Sequence, residues 1–178
     1  SREQLTPWLA AERGIELAAN NSAHFCVVAG EQAAISRLST RLVEGGIQHR
    51  RLKTSHAFHS AMMTPMLHDF AQLLGQIPMH APHKRFISNV SGTWITEEQA
   101  TSPDYWVQQV RNAVLFSEGA AQLLVQPTLF IECGPGNTLS TFIQGHNQYS
   151  DQPTLLTLRK ANAAIDDEHM LHRTLAAL

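Results

Sequence analysis

No stretch of this chain comes near the roughly 20 consecutive apolar residues that a bilayer-spanning helix needs. Its first residues, Ser1-Arg2-Glu3-Gln4, hold no apolar signal core, so nothing there marks the chain for secretion. Charge is scarce and nearly balanced: charged residues are 16% of 178, with a formal net charge of -2. That removes the electrostatic case for a nucleic acid or an anionic membrane as a partner. Cysteine is limited to Cys26 and Cys133, far apart and each inside an apolar, strand-like run. They read as buried free thiols of a reducing, cytoplasmic compartment rather than as a disulfide. There is no internal repeat and no low-complexity segment. Metal and phosphate signatures are missing too, with no His-Glu-x-x-His, no Cys-x-x-Cys and no glycine loop ending in Gly-Lys-Ser/Thr. No metal is therefore expected. No serine has glycine both two residues before and two residues after it, so the strained elbow that exposes a nucleophilic serine is absent.

What is present is enough apolar residue, 43%, for a packed globular chain of one domain or two small lobes. A helix is predicted over 2–13 and stops at Gly14; Pro7 suits it better if it starts late, with Thr6 as cap. Two strand-like runs, 15–20 and 24–29, flank the turn-forming Asn20-Asn21-Ser22 and predict a hairpin. Ala34, Ile35, Leu38 and Leu42 share one face of a helix that Gly45-Gly46 end. A further strand is predicted over 47–53. Residues 60–74 have helical periodicity, with Met62, Met63 and Met66 read as core filling. A proline-containing link (78–84), with His80 and His83 facing solvent, precedes a short strand over 85–90 and a turn at Ser91-Gly92. Helices are predicted over 103–111 and 117–124. A nearly all-apolar strand over 128–133 reads as buried on both faces. Gly134-Pro135-Gly136-Asn137 turns into a helix over 138–144, and a strand (154–158) and a last helix follow. Trp8, Trp94 and Trp106 read as packing residues. Strands alternating with helices give an α/β class with parallel pairing.

The densest chemical signal is His56-Ala57-Phe58-His59-Ser60, where a strand-like run gives way to a helix-like one. A histidine opening a helix sits near the positive end of its dipole, which disfavours the imidazolium and suits a general base acting on a hydroxyl. The spacing alone favours a partly exposed polar histidine before a helix. His56 and His59 could face one ion if both were helical, but no third ligand supports this. The Gly134-Pro135-Gly136 turn could cradle an anion at the next helix, though most such turns merely connect elements. Cys133, inside a buried strand, would be a poor nucleophile.

Five stretches together resemble the acyltransferase domains of type I polyketide synthases, relatives of malonyl-CoA:acyl carrier protein transacylases. They are the small-lobe strand Leu17-Ala18-Ala19-Asn20-Asn21; the His-Ala-Phe-His-Ser signature continued by Ala61-Met62-Met63; Ser88-Asn89-Val90-Ser91-Gly92; Asp104-Tyr105-Trp106-Val107; and 130–136, with Cys133 where valine is usual. The resemblance implies an α/β-hydrolase-like large lobe (55–178 being its C-terminal part) and a ferredoxin-like small lobe (1–54) lacking its first strand. It implies transfer of malonyl from coenzyme A to a serine and on to the phosphopantetheine arm of an acyl carrier protein. No cofactor is implied in this chain itself; phosphopantetheine arrives on coenzyme A and on the carrier.

On that resemblance His59 is the catalytic base, and a main-chain carbonyl, matched to Gln109, orients it. His56 and Phe58 line the substrate pocket. Malonyl-type domains read His-Ala-Phe-His and methylmalonyl-type ones Tyr-Ala-Ser-His, so bulky Phe58 implies a malonyl preference, worth only about 1–3 kcal/mol. The family's Gly-His-Ser-x-Gly nucleophile, oxyanion donors and carboxylate-clamping arginine have no counterpart here. The expectation is a C-terminal portion, inactive alone, whose partners are malonyl-CoA, the carrier protein, the missing N-terminal portion and neighbouring synthase domains. An acyl hydrolase of the same fold and a non-catalytic interaction remnant are the alternatives.

Overall fold

A computed structural model describes residues 1–178. It is a mixed α/β fold of eight helices and four strands. The chain divides into two compact units, Ser1–Gly119 and Ala120–Leu178.

The first unit opens with α1 (Arg2–Ala10), capped by Ser1 in a capping box with Gln4. Pro7 therefore lies inside the helix, not at its start. Two reciprocal cap bonds outweigh the one backbone donor that proline lacks. Gly14, at φ 84°, then turns the chain. β1 (Ile15–Ser22) and β2 (Phe25–Gly30) form the expected antiparallel hairpin, but its turn is at Ala23-His24: Asn20-Asn21-Ser22 extend β1, with Asn20 opposite Cys26 and Ser22 opposite Phe25. Across it lies α2 (Gln32–Glu44), whose Ala34, Leu38 and Leu42 join Ile15 in a core flanked by Trp8, Leu9, Val28 and Ile35.

Residues 47–53 do not form the predicted strand; they are exposed and in no ladder. A strand exists only by its ladder partner, and neither β1 nor β2 offers this segment one. The boundary expected after residue 54 lies inside the first unit, because β1 is bonded to a segment far along the chain: Asn20 N–H donates to the Val114 carbonyl and Val114 N–H to that of Ala18.

A 3-10 turn (Ala61–Met63) leads into α3 (Thr64–Leu74), which packs against α5. Of the three methionines expected in the core only Met63 is buried; Met62 and Met66 are exposed. The strand predicted over 85–90 is reduced to a single bridge, Ile87 to Trp94. The turn between them is closed instead by Ser88, whose Oγ accepts from Val90 and Ser91 N–H. The short α4 (Glu97–Ala100), α5 (Pro103–Arg111) and α6 (Phe116–Leu124) follow, α6 running into the second unit.

In the second unit β3 (Phe130–Pro135) pairs in parallel with β4 (Thr154–Leu158), as the alternation of elements implied. β3 is not buried on both faces: Ile131 and Cys133 are exposed, so the thiol expected in a core lies at the surface. Both cysteines are free. The Gly134-Pro135-Gly136 turn does not present an open helix end. The Glu132 carboxylate accepts from the N–H groups of Leu139 (3.1 Å) and Ser140 (2.8 Å), filling the N-terminus of α7 (Thr138–Gln144) from within the chain. α8 (Asp167–Ala176) closes the unit against β4. No helix is long and apolar enough to cross a membrane.

Candidate active site

The His56–Ser60 stretch forms a tight turn just ahead of the 3-10 helix. Ser60 is its N-cap, accepting from Met62 N–H, and its hydroxyl donates back to the Ala57 carbonyl at 2.6 Å. Between these bonds His59 adopts φ 61°, a left-handed conformation that few non-glycine residues take. Strain of this kind persists only where surrounding bonds enforce it, and it concentrates at functional sites.

The ring of the half-buried His59 is held from the other side. Its Nδ1 lies 3.0 Å from the main-chain carbonyl oxygen of Asn112. A carbonyl oxygen only accepts, so in this bond Nδ1 carries the proton and donates, and the neutral ring presents its lone pair at Nε2. The carbonyl expected for this task was that of Gln109; the structure places it three residues later. Asn112 is where α5 ends, at φ -90° and ψ 159°, and the extended ψ swings its carbonyl out of the helical direction. Gln109 is still helical, its carbonyl aligned with the helix axis.

The segment that carries Asn112 is itself fixed. Arg111 forks onto Glu16 of β1, with bonds of 2.6 and 3.1 Å from its two terminal nitrogens. Bidentate pairing of this kind sets geometry as well as attraction. Val114 is bridged to β1, and Leu115 N–H donates to the Asn89 carbonyl at 2.8 Å. Strand β1, α5 and the 88–93 turn thus converge on the one oxygen that orients His59.

Phe58 stands beside this histidine, 47% exposed, with its ring 6.0 Å from that of His56 and tilted by 58°. His56 is exposed and bonds through Nδ1 to Ser55 Oγ at 3.0 Å. Met62 and Met66 add exposed apolar surface on the following helical turns. The arrangement offers an imidazole lone pair, able to take a proton from a hydroxyl or thiol, next to an apolar wall. No group of three or more His, Cys, Asp or Glu side chains is placed to hold a metal ion.

Three of the four residues singled out from the sequence, His56, Phe58 and His59, share this turn. Asn112 and Ser60 were missed in these roles. A signal for Asn112 existed, since a helix ending at Arg111 frees carbonyls just there.

The acyl transferase domain family matches residues 3–166. A phenolphthiocerol/phthiocerol polyketide synthase protein of Mycobacterium tuberculosis (strain CDC 1551 / Oshkosh) is 32% identical over 178 residues, covering 99% of this chain and 12% of that protein. The crystal structure of the acyl transferase domain of SpnD, in complex with 2-(pent-4-yn-1-yl)malonyl, superposes with a TM-score of 0.95 at 33% identity, over 99% of this chain and 43% of that one. Malonyl CoA-acyl carrier protein transacylase from Clostridium perfringens ATCC 13124 gives 0.85 at 25% identity, over 99% of this chain and 54% of that one. The chain therefore spans well under two thirds of the length of these relatives. By the family match over most of its length, and by its likeness to these relatives in sequence and fold, the chain belongs to the acyl transferase domain family.

Proposed function

We propose that this chain carries the base and part of the substrate pocket of an acyltransferase that moves a malonyl group from coenzyme A to the phosphopantetheine arm of an acyl carrier protein. The observation that carries the reading is the 3.0 Å bond from His59 Nδ1 to the Asn112 carbonyl, which leaves Nε2 free to accept a proton. In this reading a serine from chain outside these 178 residues gives its proton to Nε2 as its oxygen attacks the thioester carbonyl. Collapse of the tetrahedral intermediate expels the coenzyme A sulfur, which takes that proton and leaves as the thiol. The malonyl ester on serine remains. The carrier's pantetheine thiol then yields its proton to Nε2 and attacks the ester, and the proton returns to the serine oxygen.

Phe58 is the wall beside the malonyl α-carbon, and its bulk disfavours a methyl there; His56 lines the same pocket. That SpnD's domain was crystallised with a malonyl derivative supports the substrate class. Anionic partners fit the surface. Residues 45–68 contain no acidic side chain, and Arg50, Arg51 and Lys53 are all exposed. Phosphates of coenzyme A and an acidic carrier are steered by such a segment. The architecture that goes with this reading is an α/β-hydrolase-like large lobe and a ferredoxin-like small lobe without its first strand. The N-terminal portion of the same domain and neighbouring synthase domains are the remaining partners.

Radiolabelled malonyl-CoA tests the reading. The isolated chain should acquire no acyl adduct. The complete domain should acquire one, and His59→Ala should slow its formation by about 10²–10⁴-fold. A stable adduct on the isolated chain, or unimpaired loading by the His59→Ala domain, would sink it.

A further inference from the structure

The histidine is held at two points, and only the ring contact to Asn112 belongs to the mechanism proposed above. The second is the backbone. Ser60 is 1% exposed, among the most enclosed side chains of the protein, although it is polar and adjoins the exposed Phe58 turn. Its hydroxyl does two jobs at once. It donates to the Ala57 carbonyl at 2.6 Å, and it accepts from Met62 N–H at 3.3 Å. The Ser60 carbonyl in turn accepts from Met63 N–H at 3.0 Å, and Met63 is buried. The hydroxyl thus ties the backbone before His59 to the backbone after it, across the residue at φ 61°.

An unbraced histidine would relax out of the left-handed region, because its Cβ is crowded there. Relaxation rotates the Cα–Cβ bond and carries the imidazole away from the Asn112 oxygen. Nδ1 then has no fixed acceptor, and the ring is free to move its proton to Nε2, the position that must be empty for base catalysis. Buried hydroxyl and strained histidine are therefore two parts of one device.

We propose that Ser60 is a positioning residue for His59: by bridging Ala57 and Met62 it holds the left-handed turn that keeps the His59 ring on the Asn112 carbonyl and Nε2 unprotonated. The inference rests on the reading of His59 as the base. It extends that reading to a residue that touches neither substrate nor imidazole.

The test uses the complete domain with three variants. Ser60→Ala removes both bonds. Ser60→Cys keeps the buried volume and weakens both bonds, which guards against a variant that merely fails to fold. Ser60→Thr keeps the hydroxyl, and the extended backbone at Ser60 (φ -142°, ψ 174°) accepts a β-branched side chain. Malonyl loading from malonyl-CoA is measured per folded domain. Ser60→Ala and Ser60→Cys should lower kcat about 10- to 100-fold, the scale of a catalytic group displaced by about 1 Å, with KM little changed; Ser60→Thr should restore most of it. The ¹⁵N spectrum of the neutral His59 ring should show the proton on Nδ1 in the parent and in Ser60→Thr, and a mixture of both tautomers in Ser60→Cys. Loading by Ser60→Cys within twofold of the parent, or an unaltered tautomer in that variant, would overturn the proposal. These outcomes separate it from the reading beneath it: a His59→Ala domain that loads normally defeats the reading, whereas a dead His59→Ala beside a fully active Ser60→Cys defeats only the role of Ser60.

Discussion

The phenol of Tyr105 donates to the hydroxyl of Ser88 at 2.7 Å, with both side chains buried. This bond joins the first turn of α5 to the 88–93 turn. That turn's Asn89 carbonyl accepts from Leu115, just beyond the Asn112 carbonyl that orients His59. A buried polar pair thus fixes the turn that is bonded beside the His59 anchor.

Ser88 gathers three donors: Tyr105 Oη–H and the N–H groups of Val90 and Ser91. Ser88→Ala leaves all three without that acceptor and should cost about 1–3 kcal/mol. Tyr105→Phe removes one donor and leaves the rest paired, so it should cost about 1 kcal/mol. Urea denaturation of both variants checks the order; a larger loss in Tyr105→Phe would contradict the role given to Ser88.

The wall at Phe58 makes a prediction about substrate choice. In the complete domain Phe58→Ser should raise the kcat/KM for methylmalonyl-CoA relative to malonyl-CoA by about 10- to 200-fold, the range that one methyl group commands in an apolar pocket. Competition between the two thioesters measures the ratio directly, and an unchanged ratio would remove Phe58 from the specificity argument.

The two cysteines should differ sharply toward alkylation. Cys133 is exposed, whereas burial pushes the Cys26 thiol up, with its sulfur 3.4 Å from Asn20 Oδ1. Thiolate is the reactive form, so iodoacetamide should label Cys133 first, as peptide mass spectrometry will show. The same shift has a stability sign. The folded thiol keeps its proton to higher pH than the unfolded one, so its contribution is complete below the unfolded value, about 8.5, and is lost as pH rises through the folded value. Equal labelling rates would contradict the burial of Cys26.

Local signals were legible wherever a residue's role depends on its neighbours in sequence. The antiparallel hairpin, the apolar stripe of α2 and the helix over 138–144 follow from local pattern and are present, although the hairpin turns at Ala23-His24 and Asn20-Asn21-Ser22 belong to β1. The runs at 47–53 and 85–90 have strand-like composition too, but a strand needs a ladder partner, and partners are not encoded in the segment itself. The same limit explains Gly134-Pro135-Gly136. Its glycines suggested an open anion site, but Glu132, two residues earlier, already occupies the helix end.

The sequence by itself determined which residue types stand together at the site: His56, Phe58, His59 and Ser60 are contiguous, and a turn before a helix keeps contiguous residues close. It also determined the family, through short stretches whose order survives along the chain. Only the tertiary structure decided what holds His59. The Asn112 carbonyl lies 53 residues away along the chain and reaches the imidazole because Arg111 is forked onto Glu16 and Val114 is bridged to β1. Every main-chain carbonyl has the same chemistry, so no residue type marks the one that will be used. That choice is made by where a helix ends and what its end is packed against.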